Sequence, residues 1–583
     1  MNRSIKSTSA CISLMLMISA ICTTAHAQDD TPLNPELIHL HTDKPFYLAG
    51  ETMWYRTYFL NEDKSTIRSK VLYVDMIDQS GNVVFDQKVK INKDGFTSGS
   101  VELPFDLKES YYLLRCYTKW NLNFPVEAIF SKKIAVYNEW ENPVSANSFS
   151  DNKVDTLDVS INNNGSLKVQ VEKTSGGGAG ETSIAVLVTD QNGQPVSANL
   201  SASVVDATVV SPASTHDIAT TQTGYQRIKD LQAEGIRDFE HEENLVIAGL
   251  LYEPETGEKV TSDLLMGNFI RNGWFRSSEA DEAEFQIFMP DFYGTEKIQV
   301  HNLNPYGAPA PTLEINRFAD RLPKLSDGQK PPRTDEIKKY IYLSSIRRKF
   351  NEIFRPEEEN EAGNSQDNGI EAKAATPDKF YDANKYKNLK NIEEFIDEVI
   401  VSAHVLKKNV DGRSVRIFSP DISRRYSYRP WYMVNGYFIP EESAALAIPM
   451  KEVKSVSVFN RRESIEKHFH LNFALRGIIS IEVKENFLPF ILEEIQGLID
   501  FKGFEQPQSF EEYRSAKFID GNQPNFEPLI YWSPAVQTDQ NGRATFTFKH
   551  NNTVGNFMIY VEGLSTGGES GNGHMVYEIE LQP

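Results

Sequence analysis

The chain has 583 residues, with 81 acidic side chains against 60 lysines and arginines and a net charge of −21. That excess sets polyanionic partners aside, because nucleic acid and anionic lipid surfaces both repel it. The length calls for several domains, and no apolar run is long enough to cross a membrane as a helix.

Residues 1–27 read as an export signal. Arg3 and Lys6 open it, 12–21 form its apolar core, and Ala25-His26-Ala27 is a small-x-small cleavage site before Gln28. Cys22 offers a second processing route, lipidation, although Ile21 stands where that signal carries a small residue. Removing the leader leaves Cys116 as the only cysteine. A disulfide within the mature chain is then impossible, even in a compartment that permits one. Cys116 sits in the apolar run Y-Y-L-L-R-C-Y-T and reads as a buried small hydrophobe.

Residues 32–140 read as a β-sandwich. Leu72, Val74 and Met76 alternate, 78–82 make a turn, and 83–85 restart a strand. The opening H-T-D-K-P-F-Y-L-A-G-E-T (41–52) resembles the start of the second macroglobulin domain of the α2-macroglobulin family. Residues 150–210 form a second β-domain. L-K-V-Q-V-E alternates without a break, Gly176–Gly180 make a flexible turn, and V-T-D-Q-N-G-Q-P-V is a strand entering an Asn-Gly turn. That phrase is similar to another macroglobulin-type domain. Residues 211–244 are polar and read as an extended connection. Residues 245–320 form a third sandwich; I-A-G-L-L-Y-E-P-E-T-G-E-K-V and F-Q-I-F-M-P-D-F-Y-G resemble the first hairpin and the close of carboxypeptidase-regulatory, transthyretin-like modules.

Over 334–354 the period changes to helical, with Thr334 as N-cap. Residues 355–380 are acidic and rich in Gly and Asn, the composition of a disordered linker. Asn391 and Glu394 then suggest a capping box before the apolar stripe Ile392, Phe395, Ile396 and Val399. Within 390–490, W-Y-M-V-N-G-Y-F-I, K-E-V-K-S-V-S-V-F-N and R-G-I-I-S-I-E-V-K read as short half-buried strands with Gly436 and Gly477 at corners. Their order resembles the plug of TonB-dependent outer-membrane receptors, with Asn435 in place of the usual aspartate. Too few residues follow for the barrel of such a receptor. Residues 500–583 return to β, and I-Y-W-S-P-A-V-Q-T-D-Q-N-G-R-A resembles a macroglobulin-family segment; Gly567–Gly573 read as a loose loop tip.

The expected fold is therefore mainly β and multidomain: tandem antiparallel sandwiches plus a small α+β unit. Chains with this combination of modules resemble Bacteroidota envelope proteins.

Reactive groups are sparse. The macroglobulin thioester needs Cys-Gly-Glu-Gln, whereas Cys116 is followed by Tyr117-Thr118-Lys119. No G-x-S-x-G elbow, H-E-x-x-H motif or P-loop is present. His39 with His41, and His468 with His470, are i, i+2 pairs that on a strand share a face and could reach one metal ion; with no Cys or third His nearby in sequence, surface or satisfied histidines are the simpler reading. Asp190, Asn192, Asp539 and Asn541 could bind calcium or simply shape turns. Tyr111, Tyr112, Tyr117, Trp120 and Trp140 could form a carbohydrate platform or fill a sandwich core. No catalytic, cofactor or metal residue is assigned and no cofactor is expected. The leading expectation is a non-enzymatic accessory protein on the periplasmic or cell-surface face of the outer membrane, docked onto a β-barrel complex directly or held by a lipid anchor. A thioester-less binder of proteases or peptides, with 357–376 as its cleavable loop, and a glycan-binding adhesin are the alternatives.

Overall fold

The computed structural model describes residues 34–579 apart from internal stretches at 93–94, 150–164, 176–180, 211–216, 227, 229–238, 253–255, 260–263, 269–272, 277, 280–283, 303–311, 316–320, 326–327, 355–375, 408–412, 440, 470–475, 494–497, 518–526 and 551–553. The leader, the Gly176–Gly180 turn and most of the expected linker lie outside the described residues. The architecture is mainly β and multidomain.

The first sandwich pairs two sheets. One holds Ile38–Thr42, Thr52–Phe59 and Phe96–Glu102; the other holds Phe46–Leu48, Phe130–Tyr137, Ser110–Tyr117, Val71–Ile77 and Val83–Lys90. Alternating side chains of both sheets meet in a core that includes Leu40, Tyr55, Val74, Leu114 and the fully buried Cys116. Burial pushes the Cys116 thiol up, with Asp75 adding to the effect, so the thiol stays protonated.

The segments expected as two separate β-domains, 150–210 and 500–583, are two halves of one sandwich. Arg543–Lys549 pairs with Glu181–Thr189, which pairs with Lys168–Ser175. In the facing sheet Ala198–Asp206 lies between Leu529–Gln537 and Gly555–Ser565, and Ser570–Ile579 completes it. Alternation within a strand shows which face is buried, but it does not reveal a partner strand more than 300 residues away. The Gly567–Gly573 stretch is a loop only at its start. Gly571 and Gly573 lie in a strand that passes so close to the facing sheet that a Cβ on Gly573 would stand 2.2 Å from the Val169 carbonyl oxygen, and one on Gly571 2.6 Å from Leu167 Cβ.

The third sandwich is closed in the same way. Leu245–Tyr252 lies in one sheet, and Leu264–Asn268 and Thr295–Asn302 in the other, whose fourth strand is Leu498–Lys502. Phe501 and Phe504 enter its core beside Ile247, Ile287 and Ile298. The boundary expected at 500 therefore cuts through a strand.

Between these ends lies the α+β unit. Its sheet runs Lys379–Asp382, Val453–Phe459, Ile478–Val483, Trp431–Val434, Tyr437–Ile439, and a separate small sheet holds Ala403–Lys407, Arg413–Ser419 and Arg424–Arg425. Helix Ile392–Val399 buries Ile392, Phe395 and Ile396, and Asn391 Oδ1 accepts from Glu394 N at 3.1 Å. Glu394 reaches back one residue further than a capping box requires, accepting from Lys390 N at 2.5 Å. The linker expected over 355–380 ends in order, since Lys379–Asp382 is an edge strand.

The domains are thus nested. The α+β unit is inserted in the third sandwich, and the third sandwich is inserted in the C-terminal one. Each inserted body is tethered by two chain crossings.

Candidate functional site

A dense set of buried polar side chains lies where strand Ile38–Thr42 of the first sandwich meets Ala198–Asp206 and Gly555–Ser565 of the C-terminal sandwich. The i, i+2 spacing of His39 and His41 does put both rings on one face. That face meets a carboxylate: His39 Nε2 lies 2.7 Å from Glu562 Oε1 and His41 Nδ1 3.8 Å from it. The remaining contacts are also filled. His39 Nδ1 lies 2.8 Å from Thr221 Oγ1, His41 Nδ1 lies 2.6 Å from Ser201 Oγ, and Tyr560 donates to Glu562 Oε2 at 2.9 Å. Among the described residues no group of three or more His, Cys, Asp or Glu is placed to hold a metal ion.

Burial lowers His41 to about 4 against the opposing pull of Glu562, so its ring is neutral at pH 7. Burial acts to raise Glu562, but His41, His39 and the Tyr560 hydroxyl outweigh it and hold the carboxyl well below its ordinary range. Lys132 is also lowered by burial, with Glu562 and Asp43 opposing.

The T-D-K-P-F-Y-L-A-G-E motif builds the adjoining part of this seam. Asp43 Oδ1 accepts from the Tyr47 hydroxyl at 2.6 Å and from Trp54 N at 2.8 Å, tying the turn to the next strand. Asp43 Oδ2 is buried without a hydrogen-bond partner, and burial raises the carboxyl to about 6. Gly50 turns the chain at φ +84°, where a Cβ would stand 2.3 Å from the Phe105 ring. The turn brings Glu51 back to Lys44, 2.9 Å away. Glu51 also accepts from the Tyr340 hydroxyl at 2.8 Å and from Arg347 Nη2 at 3.2 Å, and Arg347 Nη1 continues to Glu527 at 2.9 Å. Burial acts to raise Glu51, yet the Lys44 and Arg347 cations bring it down to about 2. One motif therefore joins the first sandwich, helix Asp335–Phe354 and the entry to the C-terminal strands.

A cavity of about 30 Å³ opens beside His41, Asp43, Lys132, Tyr560 and Glu562. It has room for water.

Other candidates fall in separate places. His468 Nε2 accepts from Thr376 N at 3.2 Å; His470 lies outside the described residues. Asp190 Oδ1 accepts from the backbone of Asn192 and Gln194, each at 2.8 Å. Asp539 does the same for Asn541 and Arg543, again at 2.8 Å. Both loops are explained by turn chemistry. The aromatic side chains do not share a face: Tyr117 stacks on Tyr73, Trp120 stacks on His241, and Trp140 lies under Arg348 at 3.5 Å.

Sequence reading missed helix Ile218–Tyr225, which 211–244 were expected not to contain. Thr220, Thr221, Thr223 and Gly224 are poor helix formers. Its tertiary contacts compensate: Ile218 N donates to Glu562 Oε2 at 3.2 Å and the Tyr225 hydroxyl donates to Ile38 O at 2.9 Å. The available signal was Asp217, an N-cap whose carboxylate accepts from Thr220 N at 2.6 Å.

No protein-family model matches the chain, and no curated protein matches it. Among solved structures, the native conformation of E. coli alpha-2-macroglobulin aligns at 9% identity and TM-score 0.24, covering 94% of this chain and 40% of that one. Salmonella alpha-2-macroglobulin reacted with methylamine aligns at 9% identity and TM-score 0.24, with 94% and 39% coverage. A DUF4785 family protein from Legionella pneumophila aligns at 8% identity and TM-score 0.13, with 49% and 56% coverage. The chain spans about two fifths of the length of those macroglobulins.

Proposed function

We propose that this chain is a non-enzymatic accessory protein of the cell envelope that docks onto an outer-membrane β-barrel complex, either a transporter or an assembly machine. The observation that carries the reading is how the buried polar groups are engaged. Lys44 and Glu51 meet Tyr340 and Arg347 of helix Asp335–Phe354, and His39 meets Glu562, each contact joining elements far apart in sequence. They weld the bodies of a scaffold. The envelope part of the reading rests on the sequence: the export signal at 1–27 and the order of plug-like strands in 390–490.

The test is purification of the tagged protein from envelopes in mild detergent. The expected result is a barrel protein in stoichiometric yield. A barrel-free monomer, or turnover of a substrate by the purified chain, would overturn it. A protease or peptide in the eluate would instead favour the thioester-less macroglobulin-like reading.

A further inference from the structure

The α+β unit has one charge anomaly that the scaffold does not use. In a chain of net charge −21, residues 413–429 hold five arginines and a single acidic residue, Asp421. Arg424, Arg425 and Arg429 are exposed and form no ion pair among the described residues. Asp421 is already engaged, accepting from Arg462 N at 2.6 Å. Apolar side chains stand exposed among them: Phe418 39%, Ile422 47% and Tyr428 50%.

Register and hydrogen bonds link these residues to the neighbouring sheet. Phe418 pairs with Arg425 across the small sheet. Phe418 N donates to Ser402 O at 2.7 Å, which brings in Val401, 87% exposed. Asn460 Nδ2 donates to Phe418 O at 2.9 Å, and Asn460 N donates to Asp378 at 2.7 Å. Asp378 immediately precedes the edge strand Lys379–Asp382, where Phe380 is 63% exposed. The two edges of this sheet differ. At Tyr437–Ile439 the Gln299 amide closes the edge, donating to Phe438 O and accepting from Phe438 N, each at 2.7 Å. Along Lys379–Asp382 no second strand pairs among the described residues.

We infer that this face receives an extended acidic segment of a partner protein, added along Lys379–Asp382 with its carboxylates on the arginines. An open edge offers a row of backbone donors and acceptors that an added strand can pair with, and guanidinium forks match carboxylates in pairs. The inference rests on the docking reading and names the surface that performs it.

The probe is a fluorescein-labelled peptide of glutamate interspersed with phenylalanine, compared with one in which lysine replaces glutamate, followed by anisotropy on the full chain. Binding of the glutamate peptide alone is expected, weakening with salt and falling about tenfold or more in R424E/R425E/R429E, whose melting temperature should match the parent. Equal binding of both peptides, or an unaffected triple variant, overturns the inference. Binding to phosphatidylglycerol vesicles in place of the peptide also overturns it and points to lipid. Envelope pull-down separates the two readings: a barrel partner retained by the triple variant sinks this face and leaves docking standing, whereas a parent protein without any barrel partner sinks docking.

Discussion

Asp43 is the residue at which the seam is least satisfied. Its Oδ2 is buried without a partner and its carboxyl is raised from 3.8 to about 6. A raised acid binds its proton more tightly in the folded state, so ionisation above pH 6 costs stability and the cost disappears below pH 3.8. Asp43→Asn keeps an oxygen for Tyr47 and Trp54 and removes the charge. The variant should gain on the order of 1–3 kcal/mol at pH 8 and nothing at pH 3.5; urea melts at both values check this, and equal gains at both would contradict it. His41 runs the other way. Lowered from 6.5 to about 4, it takes up protons more readily when unfolded, so stability falls as pH drops through that window. Glu562, held below 4.5, adds a loss at still lower pH. Between pH 6.5 and 4 the His41 loss opposes the Asp43 gain, so the melting temperature of His41→Asn should rise relative to the parent as pH falls through that window. Asn435 is held in its turn by its own side-chain amide. At φ 47° ahead of Gly436 it makes a tight hairpin turn. Its Oδ1 accepts from Val483 N at 2.6 Å and its Nδ2 donates to Val483 O at 3.3 Å. Aspartate lacks the donor, so Asn435→Asp should cost about 1–2 kcal/mol, measurable as a lower urea midpoint.

At the scale of elements, what could be read in the sequence divides along a physical line. Strands and turns announce themselves locally. Ile479, Ile481 and Val483 alternate and are buried, and the Asp-x-Asn-Gly loops close as their residues dictate. Helix Asp335–Phe354 follows its period. Elements stabilised by distant contacts do not announce themselves, as helix Ile218–Tyr225 shows. Glycine misleads in the same way: Gly571 and Gly573 look like loop residues, yet they occupy a strand because two sheets approach too closely for a side chain. Gly573→Ala should destabilise by about 1–3 kcal/mol with no change in secondary structure by circular dichroism. Helix Asp335–Phe354 depends on Arg347, which meets both Glu51 and Glu527. Arg347→Ala leaves Glu51 with the Lys44 cation and the Tyr340 hydroxyl but without its second cation, and a loss of about 3 kcal/mol is expected. Hydrogen exchange in that helix should rise first, before any change in the α+β unit.

For the whole molecule, the lesson is nesting. The candidate seam could be anticipated only in part: His39 and His41 were visible as a pair, while Glu562, their partner, stands over 500 positions away in a strand of no distinctive pattern. The same long pairing closes the C-terminal sandwich around the third one and the third around the α+β unit. Two crossings per body restrict hinge motion, which suits a scaffold that presents one domain to a partner. Extraction of native envelopes in mild detergent, followed by native electrophoresis and a second denaturing dimension, tests that account most directly. The protein should migrate well above its own 66.1 kDa, together with a companion whose mobility shifts on boiling, as a closed β-barrel's does. Migration at monomer mass with no such companion would contradict it.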